Sequence, residues 1–491
     1  MKEWLYYQYL KNPKKIALAD AIGSKTYDQL YTDSEALAVY LRSKGITKGS
    51  RVAVFLPTSF LFITLIHALI VVRAIFVPVN LRLHTAEINR QLEIASVRFL
   101  ITNQEFQKFH QLTISGLQIL LDLEYDISTK LVQKSESKDK HDLEPEDIHS
   151  ILMTSGTTGT PKGALLSYNN IYSSARSSQK RLGLKESDRW LLTIPLYHIG
   201  GLSIVTRGCI NGTTIVIDSK FDANNLIAII LDLQITVVSL VPTMLRRLMD
   251  NNSNLNVPAK LRLILIGGGP INQRLIMDAK SHNLPIAVTY GLTEATSQVT
   301  TALTDTIFAK PLSAGKPIDS IAVRIIDPDE NDCQTNEIGE IVIAGSSVIR
   351  AYLTGELSKT IEGEFRTGDL GYLDADGDLF VLSRRSDLIV TGGENVYPIE
   401  VERALSQHSL VSEICVVGIP DDEWGQIVVA AIVPQGSHTV NYTDLRNFLR
   451  EKIARFKVPK KFIVFDDLPK LGLGKYDRKK ISTMVKNKVE T

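Results

Sequence analysis

Short apolar runs alternate with amphipathic segments through the first two-thirds of the chain. Residues 51–56 and 190–194 are apolar runs of strand length, whereas residues 28–44 repeat their apolar side chains at helical spacing and end before Gly45. Strands that alternate with helices across short turns are typical of a parallel sheet covered by helices. The pattern therefore predicts an α/β fold whose large N-terminal domain contains mostly parallel sheets with flanking helices.

From about Ile321 the apolar runs become shorter and lie closer together. They predict a small β subdomain with strands at 321–326, 339–344 and 371–382. A further block follows residue 384 and has its own apolar periodicities for strands and helices. We therefore expect an N-terminal domain at 1–383 and a small α+β C-terminal domain at 384–491, with a hinge near 384–387.

Residues 60–79 are strongly apolar and resemble a membrane span at first sight. His67, Arg73 and Pro78 interrupt the run, and each is costly or disruptive in a bilayer. The segment is predicted instead to form a buried helix followed by a short strand. Stable membrane insertion is not expected.

Composition excludes several classes of partner. The chain has 491 residues with 55 basic and 54 acidic side chains, a net charge of +1, so no global field indicates nucleic acid or a membrane surface. Its three cysteines are far apart and odd in number, which gives no disulfide framework and no cysteine-based zinc site. Reduced cysteines and an N-terminus without a signal-peptide pattern predict a cytoplasmic protein. A homo-oligomer is left open.

The loop after one predicted buried strand carries the strongest chemical signal. From Ile151 to Gly163 the chain passes from apolar residues into three glycines, five hydroxyl side chains and one lysine. Glycines let successive backbone N–H groups face one point, hydroxyls add donors and Lys162 adds charge, so the loop suits a polyphosphate. Pro161 excludes a Walker P-loop, which needs glycine before the lysine, and an ordinary flexible turn is the alternative. The predicted phosphate-binding residues are Thr154, Ser155, Gly156, Thr157, Thr158, Gly159 and Lys162.

Five other segments have residues that a plain loop would not need. Residues 267–269 are three glycines at the end of a predicted strand, where a flat ligand could lie against bare backbone. Glu294 is a carboxylate suited to Mg²⁺, which bridges carboxylate and phosphate oxygens. Asp369, in a glycine-flanked turn, could accept from ribose hydroxyls. Residues 384–395 are densely charged, and Lys475 lies on a glycine-containing loop. Each signal is weak alone, because a turn aspartate is usually a cap and a tail lysine is usually solvated.

Together and in this order, these segments resemble the adenylate-forming superfamily of acyl-CoA synthetases, adenylation domains and luciferases. The resemblance covers nearly the whole chain up to Lys475. It implies a large N-terminal domain with most of the nucleotide and acyl site and a small, mobile C-terminal domain that swings over it. It also implies two steps: a carboxylate attacks the α-phosphate of MgATP to give an acyl-adenylate and pyrophosphate, and CoA thiolate then displaces AMP. The implied small molecules are therefore ATP, Mg²⁺, CoA and an aryl carboxylate.

The resemblance also implies a role for each matching residue. Lys475 would bridge the carboxylate and the α-phosphate during adenylation, Thr293 would contact phosphate, and Glu294 would bind Mg²⁺. With His198 these three form the implied catalytic set. The residues matched to ATP or AMP binding outside the phosphate loop are Gly267, Gly268, Gly269, Tyr290 (stacked on adenine), Gly291, Asp369 and Arg384. The residues matched to the CoA path are Gly392, Gly393, Trp424 and Gly425.

Two positions depart from the family pattern. Ser386 stands where the hinge is often lysine or aspartate, and serine can still absorb a backbone change. Leu471 and Leu473 replace the threonine and serine that usually occur in the last loop, while Lys475 stays in register.

The choice of acid is predicted from residues 195–202 and the helix that follows. His198 occupies the position where domains that adenylate amino acids usually carry aspartate, so an amino acid is not expected. Tyr197 and His198 suit a planar aryl acid. Arg207 could hold a second carboxylate of the substrate, and the alternative is an arginine that snorkels to the surface. The predicted acyl pocket comprises His198, Arg207, Gly268 and Ser297.

Residues 290–298, the short N-terminus and residues 384–389 together most resemble the o-succinylbenzoate–CoA ligases of bacterial menaquinone biosynthesis. Their substrate is an aromatic dicarboxylate, and Arg207 could bind its second carboxylate. Another aryl- or fatty-acyl-CoA ligase is an alternative, as is an adenylation enzyme that loads a carrier protein, although no carrier domain is appended. A non-catalytic nucleotide-binding protein would be expected to have lost Glu294 or Lys475, and both are present.

Overall fold

A computed structural model describes residues 1–109, 112, 115–121, 141–155, 161–218, 221–251, 257–269, 271, 273–355, 363–383, 389–396, 398–436, 441–469 and 476–490. The chain forms two compact units. The larger unit comprises Met1–Leu81, Leu92–Thr154 and Gly163–Ser383. The smaller unit comprises Arg82–Gln91, Ser155–Lys162 and Arg384–Thr491. The predicted hinge at 384–387 lies outside the described residues.

Strands and helices alternate in the order that the hydrophobic pattern predicts. The strands are β1 (Ile16–Ala19), β2 (Ser24–Thr26), β3 (Arg51–Phe55), β4 (Ile75–Pro78), β5 (Phe99–Thr102), β6 (Gln118–Leu121), β7 (Ile148–Ser155), β8 (Pro161–Ser167), β9 (Arg189–Leu192), β10 (Thr214–Ile217), β11 (Val237–Leu240), β12 (Leu263–Ile266), β13 (Ile286–Leu292), β14 (Ser297–Ala302), β15 (Ser313–Pro317), β16 (Ala322–Ile326), β17 (Gly339–Ala344), β18 (Phe365–Leu373), β19 (Leu379–Ser383), β20 (Ile389–Thr391), β21 (Glu394–Val396), β22 (Val411–Asp421), β23 (Gly425–Pro434) and β24 (Lys461–Val464). The helices are α1 (Trp4–Lys11), α2 (Tyr27–Ser43), α3 (Phe60–Val72), α4 (Thr85–Ile94), α5 (Gln104–Phe109), α6 (Tyr168–Leu182), α7 (Ile199–Asn211), α8 (Leu226–Asp232), α9 (Pro242–Asp250), α10 (Gln273–Ser281), α11 (Thr304–Ala309), α12 (Pro398–Leu405), α13 (Tyr442–Arg450) and α14 (Arg478–Glu490). Short 3₁₀ turns lie at Thr293–Ala295 and Arg455–Lys457.

Six strands of the larger unit form one sheet in the order β6-β5-β3-β4-β7-β8. The pairs β3/β4, β3/β5, β4/β7 and β5/β6 are parallel. Helix α3 connects β3 to β4, and every residue from Phe62 to its end is buried. Its 13 residues span about 20 Å, well short of the roughly 30 Å of a bilayer core. The predicted buried helix and strand are confirmed, and none of the described helices is both long and apolar enough to cross a membrane.

A second sheet of the larger unit has 13 strands and combines two kinds of pairing. Its centre is parallel, from β10 through β9, β11 and β12 to β13. Strands β14 to β19 continue it in antiparallel pairs. The predicted α/β fold is confirmed. The predicted β subdomain (β16–β19) is continuous with the parallel part, because β15 pairs with both β14 and β19.

The smaller unit has its own sheet, in the order β21-β20-β23-β22 with β24 beside β23. Alternate residues of β22 and β23 enter two separate apolar cores. Val416 and Ala430 pack with residues of α12 and α13, whereas Val417 and Ala431 pack with residues of α14. Helices therefore cover both faces of this sheet, which is why β22 and β23 are apolar along nearly their whole length.

The three cysteines are free thiols. Cys209 on α7 and Cys415 on β22 are buried, and Cys333 before β17 is partly exposed.

Candidate functional site

Several predicted site residues lie along one edge of the 13-stranded sheet. Strands β9, β11, β12 and β13 are parallel neighbours, so their carboxyl ends meet at a common edge. In open α/β sheets this is the edge where ligands bind. His198 follows β9 and precedes α7, residues 267–269 follow β12, and Tyr290 lies near the end of β13.

Glycine is favoured at two positions of the turn after β12, by a close neighbour at one and by the backbone conformation at the other. A Cβ on Gly267 would lie 2.8 Å from Cγ2 of Thr289, and Gly268 has a φ of +79°. A larger residue at either position would require a shift of the neighbouring strand or a strained backbone. This turn therefore has the bare backbone that the sequence predicts for contact with a flat ligand.

Tyr290 and Asp369 are hydrogen-bonded to each other across the sheet. The Tyr290 hydroxyl donates to Oδ2 of Asp369 at 2.6 Å, and both side chains are buried. The predicted turn around Asp369 is wrong, because the residue lies within β18. Gly368, with a φ of +74°, lies at an irregularity in the pairing with β17, and such a bulge re-aims the following side chain.

Glu294 lies in the 3₁₀ turn after β13, next to Thr293. Its side chain is 6% exposed. Oε1 of its carboxylate accepts from the hydroxyl of Tyr352 at 2.6 Å. A buried carboxylate at the ligand-binding edge of the sheet fits Mg²⁺, which prefers oxygen ligands and is held by one or two carboxylates plus phosphates. Tyr352 was missed by sequence reasoning, because neither its neighbours nor its spacing mark it as a site residue.

The segment around Glu294 has a backbone that only certain residues tolerate. A Cβ on Gly291 would lie 1.8 Å from the carbonyl oxygen of Ser297. Thr296 and Ser297 have φ values of 52° and 97°, a left-handed conformation that costs about 1–3 kcal/mol for a side chain other than glycine. Ser174 donates to the Thr296 carbonyl at 2.7 Å and offsets part of that cost. Such strain is common at ligand-binding sites.

Arg207 lies on α7 and is 2% exposed, so the alternative of a snorkelling arginine is wrong. Its Nε and Nη2 atoms are buried and have no hydrogen-bond partner among the described residues. Burial lowers the pKa of Arg207 to about 9. Ser203 lies one turn earlier on the same helix face, and its hydroxyl is 3.5 Å from that of Ser297. The helix face that carries Arg207 is therefore next to Ser297 of the predicted acyl pocket.

In the smaller unit, the segments predicted for the CoA path pack against each other. The Gly392 amide donates to the Trp424 carbonyl at 2.9 Å, and a Cβ on Gly392 would lie 2.9 Å from the indole ring. Gly393 and Gly425 have positive φ values of 82° and 74°. Nζ of Lys460 is 3.3 Å from a ring centroid of Trp424. A cavity of about 570 Å³ beside this group is lined by Arg446, Arg450, Arg455, Val458, Pro459 and Lys460.

The predicted phosphate loop lies between two strands of the six-stranded sheet. Thr154 and Ser155 are at the end of β7, and Lys162 is near the start of β8. Six predicted site residues lie outside the described residues: Gly156, Thr157, Thr158, Gly159, Arg384 and Lys475. Their roles stay predictions.

A cluster of three carboxylates lies elsewhere in the larger unit. Asp374, Asp376 and Asp378 lie close enough together to hold a cation. The ammonium group of Lys310 binds all three at 2.5–2.8 Å, which raises its pKa. This cluster is therefore an ion-pair network that closes the β18–β19 turn, and Glu294 is the better candidate for Mg²⁺.

Comparison with known proteins covers almost the whole chain. The family model "AMP-binding enzyme" matches residues 5–353, and "AMP-binding enzyme C-terminal domain" matches residues 400–475. The 2-succinylbenzoate–CoA ligase of Bacillus licheniformis is 36% identical over 481 residues, which cover 97% of this chain and 98% of that one.

Solved structures of o-succinylbenzoate CoA synthetase from Bacillus subtilis are also similar. A double mutant bound with its product analogue OSB-NCoA gives a TM-score of 0.90 at 34% identity and covers 98% of each chain. The complex with the acyl-adenylate intermediate OSB-AMP gives 0.74 at 33% identity and covers 98% of each chain. The complex with ATP and magnesium gives 0.74 at 33% identity and covers 98% of this chain and 99% of that one.

The resemblance drawn from the motifs is confirmed by this match along both domains. The "AMP-binding enzyme" model covers the strands whose carboxyl ends form the edge described above, and the C-terminal model covers most of the smaller unit's own sheet. The chain therefore belongs to the AMP-binding enzyme family and, within it, to the 2-succinylbenzoate–CoA ligases.

Proposed function

We propose that this enzyme joins 2-succinylbenzoate to CoA at the expense of ATP, giving 2-succinylbenzoyl-CoA, AMP and diphosphate in menaquinone biosynthesis. The observation that carries the choice of acid is Arg207, a buried guanidinium without an acidic partner among the described residues. A buried charge is costly unless it is paired. The second carboxylate of an aromatic dicarboxylate would supply that pair, whereas a benzoate or a fatty acid would not.

In the first step, one carboxylate of the acid attacks the α-phosphorus of ATP and pyrophosphate leaves. Two anions must approach each other, so the site has to supply positive charge and hydrogen-bond donors. We assign the β- and γ-phosphates to the loop between Thr154 and Lys162, and the α-phosphate to Thr293 and Lys475. Glu294 would hold Mg²⁺, which supplies charge neutralisation on the phosphates. Asp369, oriented by Tyr290, would accept from the ribose hydroxyls.

In the second step, the thiolate of CoA attacks the acyl carbonyl and AMP leaves. We assign the pantetheine arm to a route along the segment of Gly392 and Trp424, which pack against each other. Gly393 and Gly425 would line the same route. We also assign His198, which precedes α7, to the acyl end of the site, as the family resemblance implies.

The test is a pyrophosphate-release screen over 2-succinylbenzoate, benzoate, other aryl acids and fatty acids, with and without CoA. We expect release with 2-succinylbenzoate to exceed release with benzoate, and we expect 2-succinylbenzoyl-CoA to form only when CoA is present. Release with fatty acids but not with 2-succinylbenzoate would replace this proposal with the fatty-acyl alternative. Product that requires a carrier protein instead of CoA would favour a carrier-loading enzyme.

A further inference from the structure

The hydroxyl of Tyr352 is the one side-chain donor to the carboxylate of Glu294 among the described residues. The distance from its oxygen to Oε1 is 2.6 Å, short enough for a charge-assisted hydrogen bond. Tyr352 is 4% and Glu294 is 6% exposed, so little water competes for the contact. Tyr352 lies 58 residues beyond Glu294 in the chain, and it belongs to none of the predicted site segments.

The backbone around Tyr352 is bound to the strand that leaves the phosphate loop. Tyr352 forms an antiparallel bridge with Ala164 of β8. The Leu353 amide donates to the carbonyl of Gly163 at 2.7 Å, and the Leu165 amide donates to the carbonyl of Ala351 at 3.3 Å. A Cβ on Gly163 would lie 2.8 Å from Ile151 of β7, so this part of β8 is tightly packed. The backbone that carries the ring of Tyr352 is therefore fixed next to β8.

The same segment also holds the backbone of the turn that carries Glu294. The Ile349 amide donates to the Glu294 carbonyl at 2.8 Å. The Thr296 hydroxyl donates to the Ser347 carbonyl at 2.7 Å. Residues 347–353 thus form two hydrogen bonds with the Glu294 turn, one of them with the Thr296 side chain, and two backbone hydrogen bonds with β8. We call these residues the 347–353 strap.

A free glutamate side chain populates several rotamers, and fixing it costs on the order of 1–2 kcal/mol. The Tyr352 hydroxyl fixes one oxygen of Glu294 before any ligand arrives. The same residue is anchored to the strand next to the phosphate loop, so the carboxylate has a set position relative to that strand. Partners of metal ligands that act in this way typically change metal affinity by about 10–100-fold.

We propose that Tyr352 is a positioning residue that orients Glu294 towards the divalent cation of MgATP and couples that carboxylate to the phosphate-loop strand through the 347–353 strap. The proposal rests on the proposed function, which makes Glu294 the metal ligand. Tyr352 itself contacts neither substrate nor metal in this role.

The test compares Tyr352→Phe, which removes one oxygen and keeps the ring, with the full-length wild type. Binding of Mn²⁺ in the presence of ATP, followed by electron paramagnetic resonance, is expected to weaken by about 10-fold or more. The Mg²⁺ concentration for half-maximal pyrophosphate release is expected to rise in parallel. Thioester formation from preformed acyl-adenylate, which needs no ATP, is expected to change by less than about 2-fold.

Tyr27→Phe is the matched control, because Tyr27 is also buried and its hydroxyl donates to backbone carbonyls of Gly208 and Thr213. It should lower thermal stability without weakening Mn²⁺ binding. Wild-type Mn²⁺ affinity in Tyr352→Phe, or an equal loss in both half-reactions, would overturn the proposal. Glu294→Gln distinguishes a failure of the Tyr352 proposal from a failure of the proposed function. If the Mn²⁺ affinity of this variant equals that of the wild type, the assignment of Glu294 in the proposed function is wrong.

Discussion

Arg207 brings a full positive charge into the interior of the larger unit. Desolvation is the cause of its lowered pKa, and no acidic group among the described residues offsets it. A protein keeps such a residue at a cost in stability, because an unpaired buried charge is unfavourable by several kcal/mol. A ligand carboxylate that enters this site therefore gains an interaction that a neutral group cannot.

Arg207→Ala is expected to reduce kcat/KM for 2-succinylbenzoate by about 10²-fold or more, because truncating one partner of a buried charge pair costs roughly 2–5 kcal/mol. The value for benzoate should change by only a few fold. Arg207→Lys keeps the charge and should give an intermediate loss. Steady-state kinetics with both acids measures the difference. Equal losses on the two acids would remove the second-carboxylate role.

Lys460 contacts the predicted CoA path and also lines the cavity of about 570 Å³ in the smaller unit. It lies over Trp424, and three arginines line the same cavity. Since CoA carries several phosphate charges, Lys460→Ala is expected to raise KM for CoA by about 10-fold. Pyrophosphate release without CoA should not change.

The control for this change is Lys452→Ala. Lys452 is a neighbouring cation that lies over the ring of Phe448 and does not line the cavity. An unchanged KM for CoA in Lys460→Ala, or the same rise in both variants, would contradict the assignment.

At the scale of elements, a partly buried ion pair lies at the C-terminal end of the loop that carries Lys475. Arg478, the first residue of α14, binds Oε2 of Glu402 at 2.9 Å and donates to the Val416 carbonyl at 2.8 Å. The other oxygen of Glu402 accepts from the Val416 amide at 2.7 Å. The Asp477 amide donates to the Pro469 carbonyl at 2.9 Å. Both ends of the loop are therefore attached to β22 and α12 or to each other.

Arg478→Ala is expected to slow adenylation by about 10²-fold, because a reactive group displaced by about 1 Å can cost that much. Thioester formation from preformed acyl-adenylate should stay within a few fold. Lys475→Ala, which should abolish adenylation and spare the second step, gives the reference. Separate assays of the two half-reactions make the comparison, and a parallel loss in both would indicate only a general loss of folding.

Element types were predictable wherever local periodicity and burial agreed. The hairpin β1–β2, helix α2 and the pair α3–β4 follow from residues within 30 positions of each other. The bulge at Asp369 was not predictable, since it depends on the register of β18 against β17, more than 20 residues away. Tyr352 was missed for the same reason: its partners, Glu294 and β8, come from distant parts of the chain.

At the scale of the whole molecule, two buried histidines limit stability in acid. His67 on α3 and His149 on β7 are each 1% exposed, and no ring nitrogen has a hydrogen-bond partner among the described residues. Burial lowers the pKa of His67 to about 4. Burial, and to a smaller extent the nearby His67, lowers the pKa of His149 to about 3.

The unfolded chain protonates histidine near pH 6.5, whereas the folded chain does not until about pH 4 or below. Stability is therefore fully present above pH 6.5 and is lost as the pH falls from 6.5 towards 4, by about 2 kcal/mol per histidine at pH 5. Buried Glu3 acts in the opposite direction: burial raises its pKa to about 7, so its contribution grows as the pH falls from 7 to 4.5.

A comparison with His149→Phe isolates the histidine effect from that of Glu3. Phenylalanine keeps the ring contact with Trp4, whose centroid is 5.9 Å away. Urea unfolding of the larger unit at pH 7.5 and pH 5 should show a loss about 2 kcal/mol smaller in the variant than in the wild type. The same loss in both proteins would show that His149 is not protonated on unfolding in this range.

The order of strands in the large sheet could not be predicted from the sequence. Strand β1 of the first hairpin pairs with β10, about 200 residues later. Local periodicity cannot indicate which distant strands pair. What could be predicted is the shared edge of β9, β12 and β13, because parallel strands present their carboxyl ends together.

The burial of two of the three thiols makes the natural chain suitable for single-dye fluorescence. Cys209 and Cys415 are enclosed, and Cys333 is the partly exposed thiol, so a maleimide dye should attach once per chain. Burial and nearby carboxylates raise the pKa of Cys333, and mildly alkaline conditions should speed the labelling. With a second cysteine introduced on the surface of the smaller unit, energy transfer between two dyes would test, during turnover, the domain rotation that the family resemblance implies, without removal of any native cysteine.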